Sequence, residues 1–490
     1  MPVTSVIMAV VNAVHGHEGE VTGMVNGTSG VAGLRGGQQD QQDQQDRQAA
    51  SRLLGVEGLA VTDVACQADG SAVVQVVTDD ACAAACPGCG VFSTALKQRV
   101  TTRPRDVPYG DRTVRLVWRK SRWRCRERTC ARESFTESVA QVPPGARLTR
   151  RLREQVGKGA CETFSCVASA AAHYAVSWPT AMKAAVEHMS AGLAGPLPVV
   201  PVIGIDETRR GKTVWEQHPD TDKWRIRHDR WHTSIVDAHG HQGLLGHIDG
   251  RTSAAVIAWL DTQPQSWRDG VDYVCMDLCA PYAAAVRRAL PGAVVVADRF
   301  HLVALANTMI TDVRQRVTRE HLGRRGRKTD PAWRSRRKLL MAAEKLDPDV
   351  LHQLRQDLQA TGISGQHILD AHAVKEALRE LLGLSGTNPA RSTIAHRLFR
   401  FYQLAADADH SPEITRLATT ITTWWPAIEA AILTGHSNAR SEGYNRIAKH
   451  TARDAFGFRN VTNHRLRVRW ACTRQRRRVS ARNTKLPYQV

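Results

Sequence analysis

Three carboxylates lie at positions in the sequence that could form a catalytic metal site. Asp206 follows the apolar run VIGI, Asp277 ends the run VCM, and Glu442 lies near the start of a helical segment. Phosphodiester cleavage uses two metal ions about 3.5 to 4 Å apart, and hard Mg²⁺ prefers carboxylate oxygens, water and phosphate. Two strand-end aspartates and one helical glutamate can converge in this way. On spacing alone, however, each acid could equally be a helix cap or a solvated surface charge.

A second strand-end acid lies close to Asp277 in the chain. The run VVVA ends in Asp298, which is followed by His301. A run of β-branched residues that stops at a carboxylate is typical of a buried strand that brings an acid to the rim of a sheet. The residues alone leave open which of the two aspartates does chemistry.

The segment that carries these aspartates alternates strands and helices. Strands are predicted at 202–206, 231–238, 243–248, 272–277 and 293–298, and helices at 253–262 and 281–290. This β-β-β-α-β-α-β order predicts a mixed sheet with helices packed on it. Residues 303–432 show only helical periodicity, and two short strands are expected within 56–78.

Four cysteines form two pairs with the spacing of a zinc site. Cys86 and Cys89 make a C-x2-C knuckle, and Cys125 and Cys130 make a C-x4-C pair after a gap of 35 residues. Two such knuckles supply the four thiolates that structural zinc prefers, so one structural Zn²⁺ in a ribbon is expected. The alternative is four reduced core thiols, and Cys82 could replace Cys86. The basic stretch 119–132 could contact phosphate or form a solvated face.

Residues 164–189 have the length and shape of a helix-turn-helix. A break at 174–176 precedes Ser177, a good N-cap, and Pro179, which suits a first helical turn. The second helix would then enter a DNA major groove. An ordinary helical hairpin is the alternative. The candidate contact residues on that helix are Trp178, Thr180, Lys183 and His188.

Composition favours a nucleic-acid partner. The 490 residues carry a formal net charge of +20 and a pI of about 9.9, which is typical of proteins that bind nucleic acid or another anionic surface. No apolar run reaches about 18 residues, so no membrane span is expected, and no secretory signal is recognised. Eleven cysteines are too few for a disulfide scaffold. A reducing, cytoplasmic location is therefore expected.

The motifs together resemble one family. GIDE (204–207), the D-x3-PY segment (277–282), DRFH (298–301), SN-x3-EG-x-N (437–445) and GFRN (457–460) are similar to the DDE transposases of bacterial insertion sequences. With the cysteine pairs upstream, the chain resembles the ISL-three (ISL3) family over about residues 52–475.

The resemblance implies a multidomain chain with an N-terminal zinc ribbon, a helical helix-turn-helix domain, and an α/β ribonuclease H-like catalytic core with an all-helical insertion. The Gln- and Asp-rich start has too little apolar surface to fold, although it could also be an upstream extension of the reading frame without a role. The expected order is a disordered leader (1–51), a zinc-ribbon domain (52–140), a helix-turn-helix DNA-binding domain (147–195), the first part of the core (202–302), the helical insertion (303–432), the final core helix with the catalytic glutamate (433–475) and a basic tail (476–490).

By motif match, Asp206, Asp277 and Glu442 would hold two Mg²⁺ ions, for which Mn²⁺ could substitute. Members of the family cut double-stranded DNA at terminal inverted repeats and join the freed 3′ ends to target DNA. A homodimer on DNA is expected, because two element ends must be held together. Two alternatives remain open: a non-catalytic DNA-binding repressor or domesticated transposase, and a structure-specific nuclease without strand transfer.

The final core helix adds residues to the expected site. Glu442, Asn445, Arg446 and Lys449 recur at helical spacing, and Arg453 extends the stripe, so they could hold metal and phosphate together, or form a solvated face. Upstream, Trp424 and Trp425 could stack on an extruded base or belong to the core.

Strand order in the implied sheet ranks the two neighbouring aspartates. The first and fourth strands would be parallel neighbours about 4.8 Å apart, with the fifth one strand farther out. Asp277 is therefore assigned to the metal with Asp206. Asp298 is assigned a supporting role, either as a cap for the helix from residue 299 or as a partner that orients His301.

Overall fold

The computed structural model describes residues 34–228, 230–408 and 410–483. The chain forms two compact units, Met1–Gly192 and Leu193–Val490. The parts of the predicted leader at 1–33 and of the basic tail at 484–490 lie outside the described residues. No helix of the described ranges is long and apolar enough to span a membrane.

A six-stranded sheet organises the first unit. Its strands are β1 (Leu59–Cys66), β2 (Ala72–Thr78), β3 (Leu96–Thr102), β4 (Arg105–Tyr109), β5 (Arg112–Arg124) and β6 (Ser134–Thr136). The long strand β5 pairs with four of the others, and β1 pairs with β2 in antiparallel order, as the sequence predicts. Alternate residues of β5 point into the core, where Leu116 and Trp118 are fully buried against Val76 of β2.

A helix precedes this sheet where composition predicts disorder. The helix α1 (Leu34–Leu54) includes the glutamine- and aspartate-rich stretch. Gln42 donates to Asp46 one turn later, at 3.1 Å, and the hydroxyl of Ser51 accepts from the backbone of Val61 at 2.8 Å. Leu54 packs against the core of the sheet. Contacts at its C-terminal end therefore hold a segment that has no apolar stripe of its own.

Three short helices complete the first unit: α2 (Arg150–Lys158), α3 (Val167–His173) and α4 (Trp178–Gly192). A π-helical turn at Gly159–Thr163 joins the first two. The last two are separated by four residues, at the position that the sequence predicts. The core between them is built from small side chains such as Ala181 and Ala185, which allow close helix packing.

A five-stranded sheet organises the second unit. Its strands are β7 (Val202–Arg209), β10 (Trp231–Asp237), β11 (Leu244–Asp249), β12 (Tyr273–Met276) and β13 (Val294–Ala297), and between β7 and β10 lies a separate hairpin of β8 (Val214–Gln217) and β9 (Trp224–His228). The spatial order is β11-β10-β7-β12-β13. The first three strands are antiparallel neighbours, and β12 runs parallel to both β7 and β13. The predicted β-β-β-α-β-α-β pattern is present, and the hairpin was not predicted.

Helices cover this sheet and extend from it. They are α5 (Ser253–Asp261), α6 (Gln265–Asp269), α7 (Ala280–Ala289), α8 (Arg299–Leu322), α9 (Pro331–Arg334), α10 (Pro348–Gln359), α11 (Ile363–Leu382), α12 (Arg391–Asp407), α13 (Pro412–Thr434), α14 (Ala439–Asp454) and α15 (Val461–Asn483). Helices α8 to α13 share one apolar core. Trp424 and Trp425 are partly buried against it, which favours the core interpretation of this pair. The helix α15 extends into the segment predicted as a basic tail.

Candidate functional site

The four paired cysteines converge in the first unit. The sulfur atoms of Cys86, Cys89, Cys125 and Cys130 all lie within 4.8 Å of one another. Sγ of Cys86 is 4.0 Å from that of Cys130, and Sγ of Cys89 is 3.6 Å from that of Cys125. Tetrahedral Zn²⁺ with Zn–S bonds of about 2.3 Å requires sulfur separations of roughly 3.8 Å. The donor set and its spacing therefore fit one structural zinc ion.

A backbone N–H donates to one sulfur of each knuckle. The N–H of Gly88 donates to Sγ of Cys86 at 3.5 Å, and the N–H of Arg132 donates to Sγ of Cys130 at 3.4 Å. The bond from Gly88 is the largest cause that lowers the pKa of Cys86, to about 7. Cys82 is exposed and is not part of the group, so Cys86 is the ligand that the fold provides.

Three aspartates lie in one row across the parallel strands of the second unit. Strand β12 pairs its Met276 with Ile205 of β7 and with Ala297 of β13. One residue farther along, Asp277 lies level with Asp206 on one side and Asp298 on the other. Because neighbouring strands are about 4.8 Å apart, the three carboxylates leave the sheet at the same edge.

His301 lies between two of these carboxylates. Its Nδ1 is 2.9 Å from an oxygen of Asp277 and 2.9 Å from one of Asp298. The contact with Asp298 is a well-aligned hydrogen bond, and the Asp277 oxygen at 2.9 Å is Oδ1. The contacts with Asp277, and then with Asp298, raise the pKa of His301 to about 10. Carboxylate oxygens at this position are the donors that a divalent cation would use.

Asp298 lies at the N-cap position of α8, but its carboxylate makes no capping hydrogen bond. It is nearly buried, with 5 % of its side chain exposed, whereas 32 % of the Asp277 side chain is exposed. Of the two supporting roles that the sequence leaves open, the contacts favour the one in which Asp298 orients His301 and not the one in which it caps the helix.

Asp206 is fixed by the helix α14. One carboxylate oxygen accepts from the N–H of Glu207 at 2.7 Å, and the other accepts from the side-chain amide of Asn445 at 2.6 Å. The amide oxygen of Asn445 in turn accepts from the hydroxyl of Thr208. Burial, followed by the charge of Asp277, raises the pKa of Asp206 to about 6. Two unneutralised carboxylates this close disfavour each other, and a bound cation would remove that cost.

Gly204 allows α14 to approach the sheet. Asn438, just before the helix, donates to the carbonyl of Ile205 at 3.0 Å and accepts from Ser441 at 2.6 Å. A Cβ atom at position 204 would lie 2.6 Å from Oδ1 of Asn438 and 2.7 Å from Oγ of Ser441. The missing side chain therefore sets the distance between the strand of Asp206 and the helix of Asn445.

Replacing Gly204 with alanine is expected to destabilise the second unit by about 1–3 kcal/mol, because the added methyl group pushes α14 from the sheet. The matched control is Gly443→Ala in the same helix, where a Cβ meets open space and helix propensity is expected to add about 0.5–1 kcal/mol of stability. Urea denaturation of both variants measures the difference. Equal stability of the two variants would contradict this account of the helix position.

Glu442 does not join the donor groups. Its side chain is exposed in the first turn of α14, and neither set of three or more donors within 4.8 Å in the described chain includes it or Asp206. The buried face of the helix consists of Ser441, Tyr444, Asn445, Ala448 and Thr451. The predicted stripe is therefore divided: Asn445 faces the sheet, and the other four residues, namely Glu442, Arg446, Lys449 and Arg453, are exposed.

Two neighbours of the aspartates have roles that the sequence did not predict. Glu207 accepts from the hydroxyl of Tyr282 at 3.1 Å, and Arg251 lies 3.6 Å from its other oxygen. Burial raises the pKa of Tyr282, whose oxygen also lies 2.9 Å from that of Thr233. Glu207 belongs to the motif GIDE and Tyr282 to the motif D-x3-PY, and these motifs could have pointed to both residues. These contacts occupy Glu207, whereas the contacts of Asp206 are with Asn445 and a backbone N–H.

The predicted DNA-contact residues of α4 differ in their surroundings. Trp178 is 53 % exposed, Lys183 is exposed and Thr180 is half-buried. His188 instead lies 3.2 Å from the carboxylate of Glu162 in the same unit. The structure therefore leaves Trp178 and Lys183 at the surface, whereas Thr180 and His188 are half-buried.

Comparison with known proteins identifies the family of the chain. Residues 203–468 match the ISL3 transposase family, and residues 83–130 match the zinc finger of the IS204/IS1001/IS1096/IS1165 transposases. The transposase of insertion sequence IS1001 from Bordetella parapertussis is 23 % identical over 393 residues, 79 % of this chain and 88 % of that protein. The IS1557 transposase of Mycobacterium tuberculosis, from strains CDC 1551 and H37Rv, is 25 % identical over 252 residues, 48 % of this chain and 55 % of that protein. With its zinc ribbon upstream and its aspartate row inside the matched range, the chain belongs to the ISL3 family of insertion-sequence DDE transposases.

Proposed function

We propose that this transposase cuts the ends of its own insertion sequence by metal-dependent phosphoryl transfer and joins the freed 3′ ends to target DNA. The observation that carries the proposal is the row of Asp206, Asp277 and Asp298, which brings three carboxylates to one edge of the sheet. The order of the five strands supports a ribonuclease H-like core, with α8 to α13 as the helical insertion.

Asp206 and Asp277 would hold Mg²⁺ or Mn²⁺, with Glu442 of α14 as the third ligand of a two-ion site. The bound metal supplies charge neutralisation at the scissile phosphate and activation of the attacking water or 3′-hydroxyl. Asn445 and the N–H of Glu207 each hold one oxygen of Asp206 and would so fix the orientation of its carboxylate. Asp298 positions His301, which in turn positions Asp277. Arg446, Lys449 and Arg453 lie exposed on α14 and would bind the phosphates of the substrate strand.

The first unit would recognise the terminal inverted repeats as duplex DNA. A groove of about 650 Å³ is lined by Thr180 and Lys183 of the candidate recognition helix and by Arg105, Arg147 and Arg150. Burial and the nearby charge of Arg115 lower the pKa of Arg105, and Glu187, the acid among the described residues of this groove, pairs with Arg153 instead. Phosphate would supply the missing negative charge. In this proposal α3 and α4 act as a helix-turn-helix, and a homodimer holds the two ends together.

The test uses terminal inverted repeats found beside the gene, supplied as short labelled duplexes with Mg²⁺. Cleavage at the repeat boundary, followed by joining of the 3′ end to a plasmid, is the expected result. Cleavage without joining would identify a structure-specific nuclease. Specific binding without cleavage would identify a repressor or a domesticated transposase. A scrambled duplex of the same length is the control for sequence specificity.

A further inference from the structure

The hairpin of β8 and β9 presents an aromatic face that is about half-exposed among the described residues of its unit. It forms a two-stranded sheet of its own, with Trp215 opposite Ile226 and Gln217 opposite Trp224. Directly opposite residues, and residues two apart on one strand, share a face. Trp215, Trp224 and Ile226 therefore lie on one face, with exposed fractions of 53 %, 66 % and 48 %.

The opposite face of the hairpin is polar and internally paired. Glu216 receives Arg225 at 2.8 Å and lies 3.5 Å from Arg227. These contacts hold the two strands together without the tryptophans. The hairpin therefore does not need the indole side chains as its core. Exposing these apolar rings to water is energetically unfavourable.

The positive charge of the residues around the hairpin favours an anionic partner. Residues 209–230 contain seven lysine or arginine residues against four aspartate or glutamate residues. Lys212, Lys223 and Arg230 are exposed in the segments that adjoin the hairpin strands. Aromatic side chains interleaved with cations bind single-stranded nucleic acid, because bases stack on the rings while phosphates meet the cations. A second copy of this chain, with its net charge of +20, offers less charge complementarity.

The chain places this face near the aspartate row. Asp206 lies in β7, which leads directly into the hairpin, and Trp215 is nine residues later. Even fully extended, nine residues span only about 30 Å, which is less than one turn of duplex DNA at roughly 34 Å. A nucleotide stacked on the hairpin is thus within one helical turn of a phosphate bound at Asp206.

We propose that Trp215 and Trp224 stack on unpaired nucleotides of the DNA next to the cleavage point. The inference deepens the proposed function and rests on it for the identity of the DNA. The planar indoles reach base faces only where pairing is broken, so the hairpin selects frayed or gapped DNA over a continuous duplex.

The experiment compares the full-length chain with the double variant Trp215→Ala/Trp224→Ala, without added Mg²⁺. Two duplexes of one sequence are used: one continuous, and one with a short single-stranded gap that contains 2-aminopurine. We expect the wild type to quench 2-aminopurine fluorescence on binding. The alanine variant is expected to lose the quenching and to bind the gapped duplex about fivefold more weakly or worse, with unchanged affinity for the continuous duplex.

The variant Trp215→Phe/Trp224→Phe is the matched control, since it keeps the aromatic face and should keep the quenching. Equal losses for both duplexes, or no loss for either, would overturn the proposal. A shift from dimer to monomer in sedimentation of the alanine variant would also overturn it and would identify the face as a subunit contact. This assay measures binding without cleavage, so its result is independent of whether the proposed catalytic activity is correct.

Discussion

Replacing Asp277 with asparagine is expected to reduce cleavage of element-end DNA by about a thousandfold or more, which corresponds to roughly 4 kcal/mol of transition-state stabilisation. Asparagine keeps the shape of the side chain and removes the charge that would hold a divalent cation. Single-turnover cleavage with Mg²⁺ measures the rate. The matched control is Asp269→Asn, because Asp269 is an exposed acid of α6 and its replacement should leave the rate unchanged.

Activity and stability should respond differently to this change. Asp277 is the neighbouring charge that contributes most to the raised pKa of Asp206. Its neutralisation relieves that repulsion, so the pKa of Asp206 should fall toward its ordinary value. It also removes the largest cause of the raised pKa of His301. The gain and the loss oppose each other, so the unfolding temperature should change little, whereas a merely structural role for Asp277 predicts loss of both stability and activity. Cleavage above a tenth of the wild-type rate would reject Asp277 as a metal ligand.

In the same assay, replacing Asp298 should reduce the cleavage rate less than replacing Asp277. Asp298 acts through His301, so Asp298→Asn should lower the rate by about 10–100-fold, as is usual when a partner that orients a metal ligand is lost. The loss should be partly restored by a higher Mg²⁺ concentration, since ligand position and not ligand charge is changed. If Asp298→Asn is the more severe variant, the metal lies between β12 and β13 instead of between β7 and β12.

Strand ends were predictable from the sequence because the evidence for them is local. Runs such as VVVA are continuous, β-branched and short, which is typical of strands buried in a parallel sheet. The row of Asp206, Asp277 and Asp298 then depends only on which strands are neighbours. That order came from the family resemblance, and the five-stranded sheet has it.

Contacts between distant segments were not predictable in the same way. Asn445 binds Asp206 across 239 residues of chain, and spacing along a helix does not fix which way the helix is rotated. The sequence therefore grouped Asn445 with Glu442, although the fold buries the first and exposes the second. The hairpin of β8 and β9 escaped prediction for a different reason: its strands have only four and five residues, and both its faces carry polar or charged neighbours.

Removing zinc is expected to unfold the cysteine loops while the rest of the first unit stays folded. The apolar core of that unit lies between β1, β2 and β5 and includes Val76, Leu116 and Trp118. No residue of 83–95 or 125–134 belongs to that cluster, so these loops depend on the metal as their core. Structural Zn²⁺ contributes about 10–16 kcal/mol of apparent binding free energy in small zinc fingers, far more than loops of this size could replace.

Hydrogen exchange followed by mass spectrometry measures this effect on the full-length chain, before and after treatment with a zinc chelator. We expect one zinc ion per chain in the untreated protein and loss of protection at 83–95 and 125–134 after chelation, with β2 and the centre of β5 still protected. Cys125→Ser should reproduce the chelated pattern without chelator. The matched control is Cys82→Ser, because Cys82 is exposed and outside the four-sulfur group.

If Cys125→Ser keeps one tightly bound zinc ion, or if Cys82→Ser loses it, the ligand set is different. If chelation instead abolishes protection in β2 as well, the zinc ion holds the whole sheet, and the apolar core around Trp118 is insufficient by itself.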